Sequence, residues 1–470
     1  MLDVFDFIVI GSGPGGSVTA DLTSKAGYST LILEEAEPSK ESYLSHSLDE
    51  ISESYRHSGL SVSLGNKPVA LIEGKALGGS SQINSGIYHR TPQTVYDLWA
   101  KKIPTLQTSE IEDIFDTIEE ALNINSNYQS DFTNLLIKGS ESLGWDYSMR
   151  PRWIDSSRKN SGIVQKFTMQ DTYLKDAISN HTKIILGKKV LKIKVKNNIW
   201  QVETINKYKE IELFYCKKLV LSAGAIQTPI ILRNSGFKKN IGKTFRLHPM
   251  VRFIYKFNSL EEPPDTEVPP FQIVKWLPES TLGCSASRPS DVATWINTPA
   301  FQYFKNDTVN QYRSCYSLIS TKTVGRLLKL SKNQYRLVFN ISNSDFQKLL
   351  SSTLNLNTLM KASGAAMRLT NLNYKGLPII GSVDADWNNK DIVKSELKSS
   401  NLSTIHIYGS CPMGMSESNS ACDQFGQLWN TRNLYVNDSS ILPDNLGVNP
   451  QGTIMALSIR NAKKMIENFN

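Results

Sequence analysis

Apolar positions along this chain come in short runs whose spacing switches between strand and helix periods. Phe7-Ile8-Val9-Ile10 and Thr30-Leu31-Ile32-Leu33 are unbroken, largely branched runs, the pattern of strands buried on both faces of a parallel sheet. Residues 15–26 between them predict a helix, so the chain opens as strand, helix, strand. Ile111, Ile114, Phe115, Ile118 and Leu122 share one helical face within 109–124, and 132–143 predicts another helix. From Thr182 the period shortens. Residues 183–186, 190–195, 200–204 and 211–214 predict a small meander, and 218–225 a buried strand ending in small residues. Further on, 311–342 predicts antiparallel strands, 345–363 a helix, 434–436 a short strand, and 453–466 a closing helix. Residues 38–65 read as a long polar connection, and 263–291 as irregular and turn-rich. Within the latter, Phe271, Val274, Trp276 and Leu277 suit either an apolar lid or, more commonly, ordinary core.

A chain of 470 residues has room for two or three domains. It contains no apolar run long enough to span a membrane, and Met1 to Asp6 lead straight into the first strand, so no signal peptide is expected. The formal charge of +8 is spread along the chain. Its densest part, Lys188 to Lys196, alternates lysine with apolar residues from Lys189 on, as a strand with a solvated face does, and nucleic-acid binding is not expected. Cys216, Cys284, Cys315, Cys411 and Cys422 include no Cys-x-x-Cys pair, so neither a disulfide framework nor a zinc site is expected. Reduced cysteines in a cytoplasmic protein are the simplest reading. His46, His57, His89, His181, His248 and His406 have no metal-ligand spacing.

The chemistry begins directly after the first strand, at Gly11-Ser12-Gly13-Pro14-Gly15-Gly16, with Glu34 closing the second strand. Gly11 permits a tight turn, Gly13 close approach of a pyrophosphate, and Gly16 close packing of helix on strand. The helix N-terminus offers its N–H groups to phosphate, and Glu34 can accept both ribose hydroxyls. This fingerprint alone admits NAD, NADP or FAD. A second small-residue segment follows, with Gly78-Gly79-Ser80-Ser81 ahead of Asn84-Ser85-Gly86. A third, 224–236, predicts a helix capped by Thr228 with Pro229 at its first position. The last part carries His406-Ile407-Tyr408-Gly409-Ser410-Cys411, then Val436-Asn437-Asp438 and Val448-Asn449-Pro450.

In this order the segments resemble the glucose–methanol–choline (GMC) oxidoreductases. Gly-Gly-Ser-Ser-x-Ile-Asn (78–84) and Ser-Ala-Gly-Ala-x-x-Thr-Pro (222–229) are similar to that family's two signatures, and Leu247-His248-Pro249 to a segment it carries after the second. The resemblance is weakest over 251–400. It implies non-covalent FAD. Gly11, Ser12, Gly13, Pro14 and Gly16 would hold the pyrophosphate, Glu34 the adenosine ribose, and Gly78, Gly79 and Ser80 the phosphates. Asn84, Ser85, Gly86 and Ile87 would run beside the flavin, the Val190 backbone would meet the adenine, and Asp438 would lie near the ribityl chain. Some relatives attach FAD through a histidine at the position of Ile83, a linkage isoleucine cannot form. Phe237-Lys238 departs from the second signature's usual ending, which weakens the expected helix end.

The resemblance further implies oxidation of a CH–OH group, with a hydride passing to flavin N5. His406 would be the general base at near its normal pKa, and Asn449 would position and stabilise the developing alkoxide. His248 reads as structural or supporting, and Tyr88 and His89 as packing residues. The implied fold is α/β: a Rossmann-like parallel-sheet FAD domain from 1–105, 182–255 and 401–470, and an α+β substrate domain on an antiparallel sheet from 106–181 and 256–400. An alcohol would be the small-molecule substrate, and dioxygen, a quinone or a redox protein the electron acceptor. A redox-neutral lyase or photodecarboxylase on the same scaffold, or a non-catalytic flavin-binding protein, are the alternatives.

Overall fold

The computed structural model describes residues 3–38, 48–126, 128–155, 165–262, 268–287, 310–331, 334–369, 373–374, 377–378 and 387–469. Its frame is two large sheets. The first runs in the order Lys183–Ile185, Thr30–Leu33, Val4–Ile10, Ile211–Leu221, Ile199–Ile205, Lys189–Lys196, with Leu434–Val436 also on Ile211–Leu221. Lys183–Ile185, Thr30–Leu33, Val4–Ile10, the end of Ile211–Leu221 and Leu434–Val436 are mutually parallel. All therefore end at one edge, which puts Gly11, Glu34, Ser222 and Asn437 side by side. That edge is where open parallel sheets bind ligands. Phe7 to Ile10, Leu31 to Leu33 and Leu219 to Leu221 are almost wholly buried, as their unbroken apolar runs require.

Two sequence expectations need correction here. Lys183–Ile185 is not part of the meander but pairs in parallel with Thr30–Leu33. The strands expected at 211–214 and 218–225 are one strand, Ile211–Leu221, antiparallel to Ile199–Ile205 at its start and parallel to Val4–Ile10 from Tyr215 onward. Its pattern changes midway because exposed Glu212 and Leu213 give way to the buried Leu219 to Leu221.

The second sheet runs Val69–Leu71, Leu402–Thr404, Met250–Lys256, Tyr312–Ile319, Ser280–Cys284, Phe271–Ile273, Tyr147–Met149, with Met367–Leu369 beside Met250–Lys256. All its pairs are antiparallel except Leu402–Thr404 with Val69–Leu71. Helices Asn343–Ala362 and Asp131–Ser142 cover it, each with a serine N-cap, Ser342 and Ser130. The stretch expected to be irregular thus supplies two strands. Phe271 and Ile273 are core, and Trp276 packs edge-on against Trp145, so this segment is core rather than a lid. Residues 263–267 and 288–291 of the stretch lie outside the described residues. The polar stretch 38–65 holds helix Leu48–Ser54 and the turn Arg56–Gly59. Met250–Lys256, assigned by sequence mostly to the FAD unit, is hydrogen-bonded into this second sheet, as are Val69–Leu71 and Leu402–Thr404.

Candidate active site

The sheet edge opens into a cavity of about 1220 Å³ that is also lined by the second sheet. Its floor is backbone brought unusually close. A Cβ on Gly11, whose φ is +97°, would lie 2.5 Å from the Ser222 carbonyl oxygen. One on Gly16 would lie 2.0 Å from the Gly11 oxygen, and one on Gly15 2.0 Å from the Asn437 oxygen. Only glycine fits where helix Pro14–Lys25 leaves the strand. Gly13 differs: it has ordinary φ at the helix N-cap, and the nearest atom to its Cβ would be Gly79 Cα at 4.0 Å. It lines the cavity, so the space over it is open to a ligand. Pro14 takes the first helical position, and the helix has no side-chain cap, which leaves its first N–H groups free for an anion. Ser12 donates through N and Oγ to Glu34 Oε2 at 2.9 and 2.7 Å, while Glu34 Oε1 accepts from Ala36 N.

The second glycine segment packs on the first. Gly78 N donates to Ser12 Oγ, and Gly79 at positive φ leaves no room for a Cβ against Gly13 Cα. Ser80 Oγ accepts from Gly74 N, so that hydroxyl braces its own loop. Asn84 joins this loop to the last helix, donating from Nδ2 to Gln451 Oε1 and accepting from Gly86 N. Ser85, Gly86 and Ile87 continue along the cavity wall. Val190 lies at a bulge in Lys189–Lys196, so its backbone stands at an interruption of the ladder. Asp438 is buried and accepts from Gly224 N, Thr228 Oγ1 and Ser440 N. Burial pushes its carboxyl up in pKa despite those bonds.

Thr228 is therefore not the cap expected from sequence. The helix starts earlier, as Gly224–Asn234, with Pro229 inside it. Pro229 cannot donate to the Ala225 carbonyl, but Ser410 Oγ donates to that oxygen at 2.6 Å, so no acceptor is stranded. The helix end is closed by Gly236 at positive φ, so the Phe237-Lys238 departure leaves it intact.

His406 and Asn449 both line the cavity. His406 directly precedes the short strand Ile407–Tyr408, which pairs with Arg246–Leu247 in a register that puts His248 opposite it. The two imidazoles meet through their Nδ1 atoms at 3.0 Å, and Tyr408 Oη bonds His248 Nε2 at 2.8 Å. The sequence expectation of a near-normal pKa is corrected: burial, with His248 and His89 nearby, holds the His406 imidazole well below its ordinary value. It is accordingly neutral at pH 7. Asn449 Nδ2 donates to the Ile87 carbonyl at 3.3 Å, and Pro450 and Gln451 bring the N-terminus of helix Gln451–Glu467, also without a side-chain cap, to the same wall.

Several cavity residues carry no readable motif. Lys166 is buried, with its ammonium donating to the carbonyls of Gln82 at 2.6 Å and Asn84 at 2.7 Å; burial lowers its pKa to about 8. Arg56 pairs with Glu35 at 3.0 Å near the Glu34 end. Behind the lining, His89 Nε2 bonds Gln272 Oε1, and Gln272 Nε2 donates to Tyr316 Oη, a chain that ends on the cavity at Tyr316. His89 is thus more than packing, and burial with Arg150 nearby lowers its pKa to about 3. Tyr88 does pack, edge-on to Phe115 and Trp153. Arg252 lines the same region and donates from Nε to Ser285 Oγ. Among the described residues no cluster of three or more histidine, cysteine or acidic side chains is placed to hold a metal; His46 lies outside them. No described helix is long and apolar enough to cross a membrane.

Comparison with known proteins places this arrangement. The two profiles of the GMC oxidoreductase family match residues 5–250 and 330–458. An uncharacterised GMC-type oxidoreductase of Sinorhizobium fredii is 29% identical over 97% of this chain and 94% of its own length. A long-chain-alcohol oxidase of Arabidopsis thaliana is 24% identical, covering 96% of this chain and 67% of that protein. Among solved structures, pyridoxine 4-oxidase from Mesorbium loti superposes with a TM-score of 0.74 at 17% identity, covering 98% of this chain and 99% of that one. Formate oxidase of Aspergillus oryzae gives 0.77 at 13%, covering 99% and 98%. With both family profiles matched and the glycine-lined sheet edge in place, the chain belongs to the GMC oxidoreductases and is an FAD-dependent oxidoreductase acting on CH–OH groups.

Proposed function

We propose that the protein oxidises an alcohol at the inner end of the cavity, with His406 as general base and Asn449 as its partner. The observation that carries this reading is that both residues line the same cavity as the glycine cradle, although they follow it by hundreds of residues. The cradle fits FAD: open space over Gly13, an uncapped helix N-terminus and a carboxylate at Glu34 suit an adenosine diphosphate. Gly11 to Gly16 with Gly78, Gly79 and Ser80 would hold the pyrophosphate, Glu34 the ribose and the Val190 backbone the adenine. Asp438 would stand by the ribityl chain, and Asn84 to Ile87 by the ring. FAD, when bound, supplies a hydride acceptor at N5. The chain's own work is with the proton. Neutral His406 takes it from the substrate hydroxyl, since an alkoxide releases hydride far more readily than an alcohol. Asn449 donates an amide N–H to the oxygen as charge grows there, without competing for the proton.

The substrate meets Met250, Leu318 and Ile405, with Tyr316 and Arg252 beyond. That lining suits an alcohol with an aliphatic or aromatic body, in line with the long-chain-alcohol oxidases among the relatives. The domain division follows the sheets, with Met250–Lys256, Val69–Leu71 and Leu402–Thr404 going to the substrate side. The cytoplasm is the compartment we favour, since all five cysteines are buried free thiols.

The test is to purify the protein, record its flavin spectrum and add primary, secondary, aromatic and long-chain alcohols without oxygen. Bleaching of the flavin band is expected from at least one class. A yellow protein that no alcohol bleaches would sink the reading and favour redox-neutral chemistry.

A further inference from the structure

His406 is useful as a base only in one of its two neutral tautomers. Its Nδ1 faces His248, so the nitrogen left for substrate is Nε2, which has no hydrogen-bond partner among the described residues. Nε2 must carry a lone pair rather than a proton. The hydrogen bonds behind the histidine determine which it is.

The chain can be read from its far end. Asn445 Oδ1 is an acceptor only, and it lies 2.8 Å from Tyr408 Oη, so the tyrosine hydroxyl donates to it. With its proton spent there, the Tyr408 oxygen has two lone pairs to fill. One accepts from Leu446 N at 3.3 Å. The other meets His248 Nε2 at 2.8 Å, a contact that holds only if Nε2 carries hydrogen. Burial keeps the His248 imidazole neutral, lowering its pKa to about 4, so its Nδ1 is then bare. The 3.0 Å contact with His406 Nδ1 in turn requires the hydrogen on His406. His406 Nε2 is left as a lone pair on the cavity.

We propose that Asn445, Tyr408 and His248 are positioning residues that set the tautomer of His406 and so make it a base. The proposal rests on the reading of His406 as the group that takes the substrate proton. The geometry supports a device rather than incidental packing. His248 and Tyr408 are fully buried, each relay bond is 3.0 Å or shorter, and the His248–His406 rings stand at 87°. The chain is also directional. If the Asn445 amide presented its NH₂ instead, Tyr408 would donate to His248, every proton would move one place, and His406 Nε2 would carry hydrogen. One amide orientation, three residues away from the chemistry, thus decides between a base and a donor.

The experiment uses the FAD-loaded enzyme labelled with ¹⁵N-histidine, and reads ring tautomers by long-range ¹H–¹⁵N correlation at pH 7. The signals of His406 are assigned by their loss in His406→Ala. In the parent, His406 is expected as the Nδ1–H form and His248 as the Nε2–H form. Finding His406 as Nε2–H would overturn the proposal. Asn445→Leu and Tyr408→Phe should each give His406 a mixture of forms and slow anaerobic flavin reduction by roughly ten- to a hundred-fold, with the alcohol's binding constant little changed. Asn445→Asp, which keeps an acceptor in place, should restore the parent tautomer and most of the rate. Unmoved His406 signals in both disrupting variants would also defeat it. Should a variant fold poorly, the parent spectrum alone decides. The reading underneath fails separately: an unchanged reduction rate in His406→Ala removes the base role, whatever the tautomer.

Discussion

The two walls of the cavity are made of different material. The wall at the end of the parallel sheet is mostly backbone, held close by Gly11, Gly15, Gly16 and Gly79, where an added Cβ would overlap a carbonyl or a neighbouring Cα. The wall from the antiparallel sheet is side chains: Met250, Arg252, Tyr316 and Leu318 projecting from paired strands. A wall of closely packed backbone tolerates almost no substitution, because any added side-chain atom meets main chain. A wall of side chains can change without harm to the sheet that carries it, since the ladder is made by the main chain. His406 and Asn449 line the same cavity, His406 just after Leu402–Thr404 of the second sheet and Asn449 just before helix Gln451–Glu467.

The strongest break of this comparison is inside the first wall. Gly16→Ala should prevent folding, because its Cβ would lie 2.0 Å from the Gly11 oxygen. Gly13→Ala should fold with a melting temperature close to the parent's yet purify colourless, because its Cβ enters open ligand space. A yellow Gly13→Ala protein would show that this wall does not carry the pyrophosphate. In the same cavity, His406→Ala should slow anaerobic flavin reduction by roughly two to four orders of magnitude. Asn449→Ala should cost about a hundred-fold, the usual worth of one donor aimed at a developing oxyanion. On the second wall, Met250→Ala and Leu318→Ala should leave folding and flavin content intact and move KM between alcohols of different chain length by about ten-fold. Identical KM ratios in parent and variants would take those residues off the substrate path.

The smallest effect concerns pH. His248 and His89 are held neutral by burial, with pKa values of about 4 and about 3 against an ordinary 6.5. The unfolded chain therefore binds protons that the folded chain refuses below pH 6.5. Their contribution to stability is complete above that value and is lost as pH falls toward 4, by up to about 1.4 kcal/mol per pH unit for each histidine. Denaturant melts of the parent and His248→Gln between pH 7 and 4 should show the variant losing stability less steeply. Parallel curves would mean that His248 does not titrate on unfolding.

How legible these features were depends on what specified them. The cradle was readable because its constraint is steric and local: Gly11, Gly13 and Gly16 sit at fixed spacing after an apolar strand, and Glu34 ends the next one. The strand Ile211–Leu221 was read as two because both its burial and its pairing partners change midway, while its backbone runs on unbroken. Thr228 was misread as a cap because Thr-Pro is an ordinary helix start, and the bond that rescues Pro229 comes from Ser410, far away in sequence. His89 was read as a packing residue, and Lys166 and Arg56 escaped notice, because a single histidine, lysine or arginine has no spacing to recognise. Each gains its place only from Gln272, from the Gln82 and Asn84 carbonyls, or from Glu35.

By itself the sequence determined the nucleotide cradle, the parallel sheet beneath it and the family, because glycine positions and apolar periods act over a few residues and leave a mark in their order. Only the tertiary structure decided what stands around the candidate base. Burial of His406, the His248–Tyr408–Asn445 chain behind it and the side-chain wall in front are contacts between distant segments. Proton position and dielectric depend on those contacts in three dimensions, and no spacing along the chain records them.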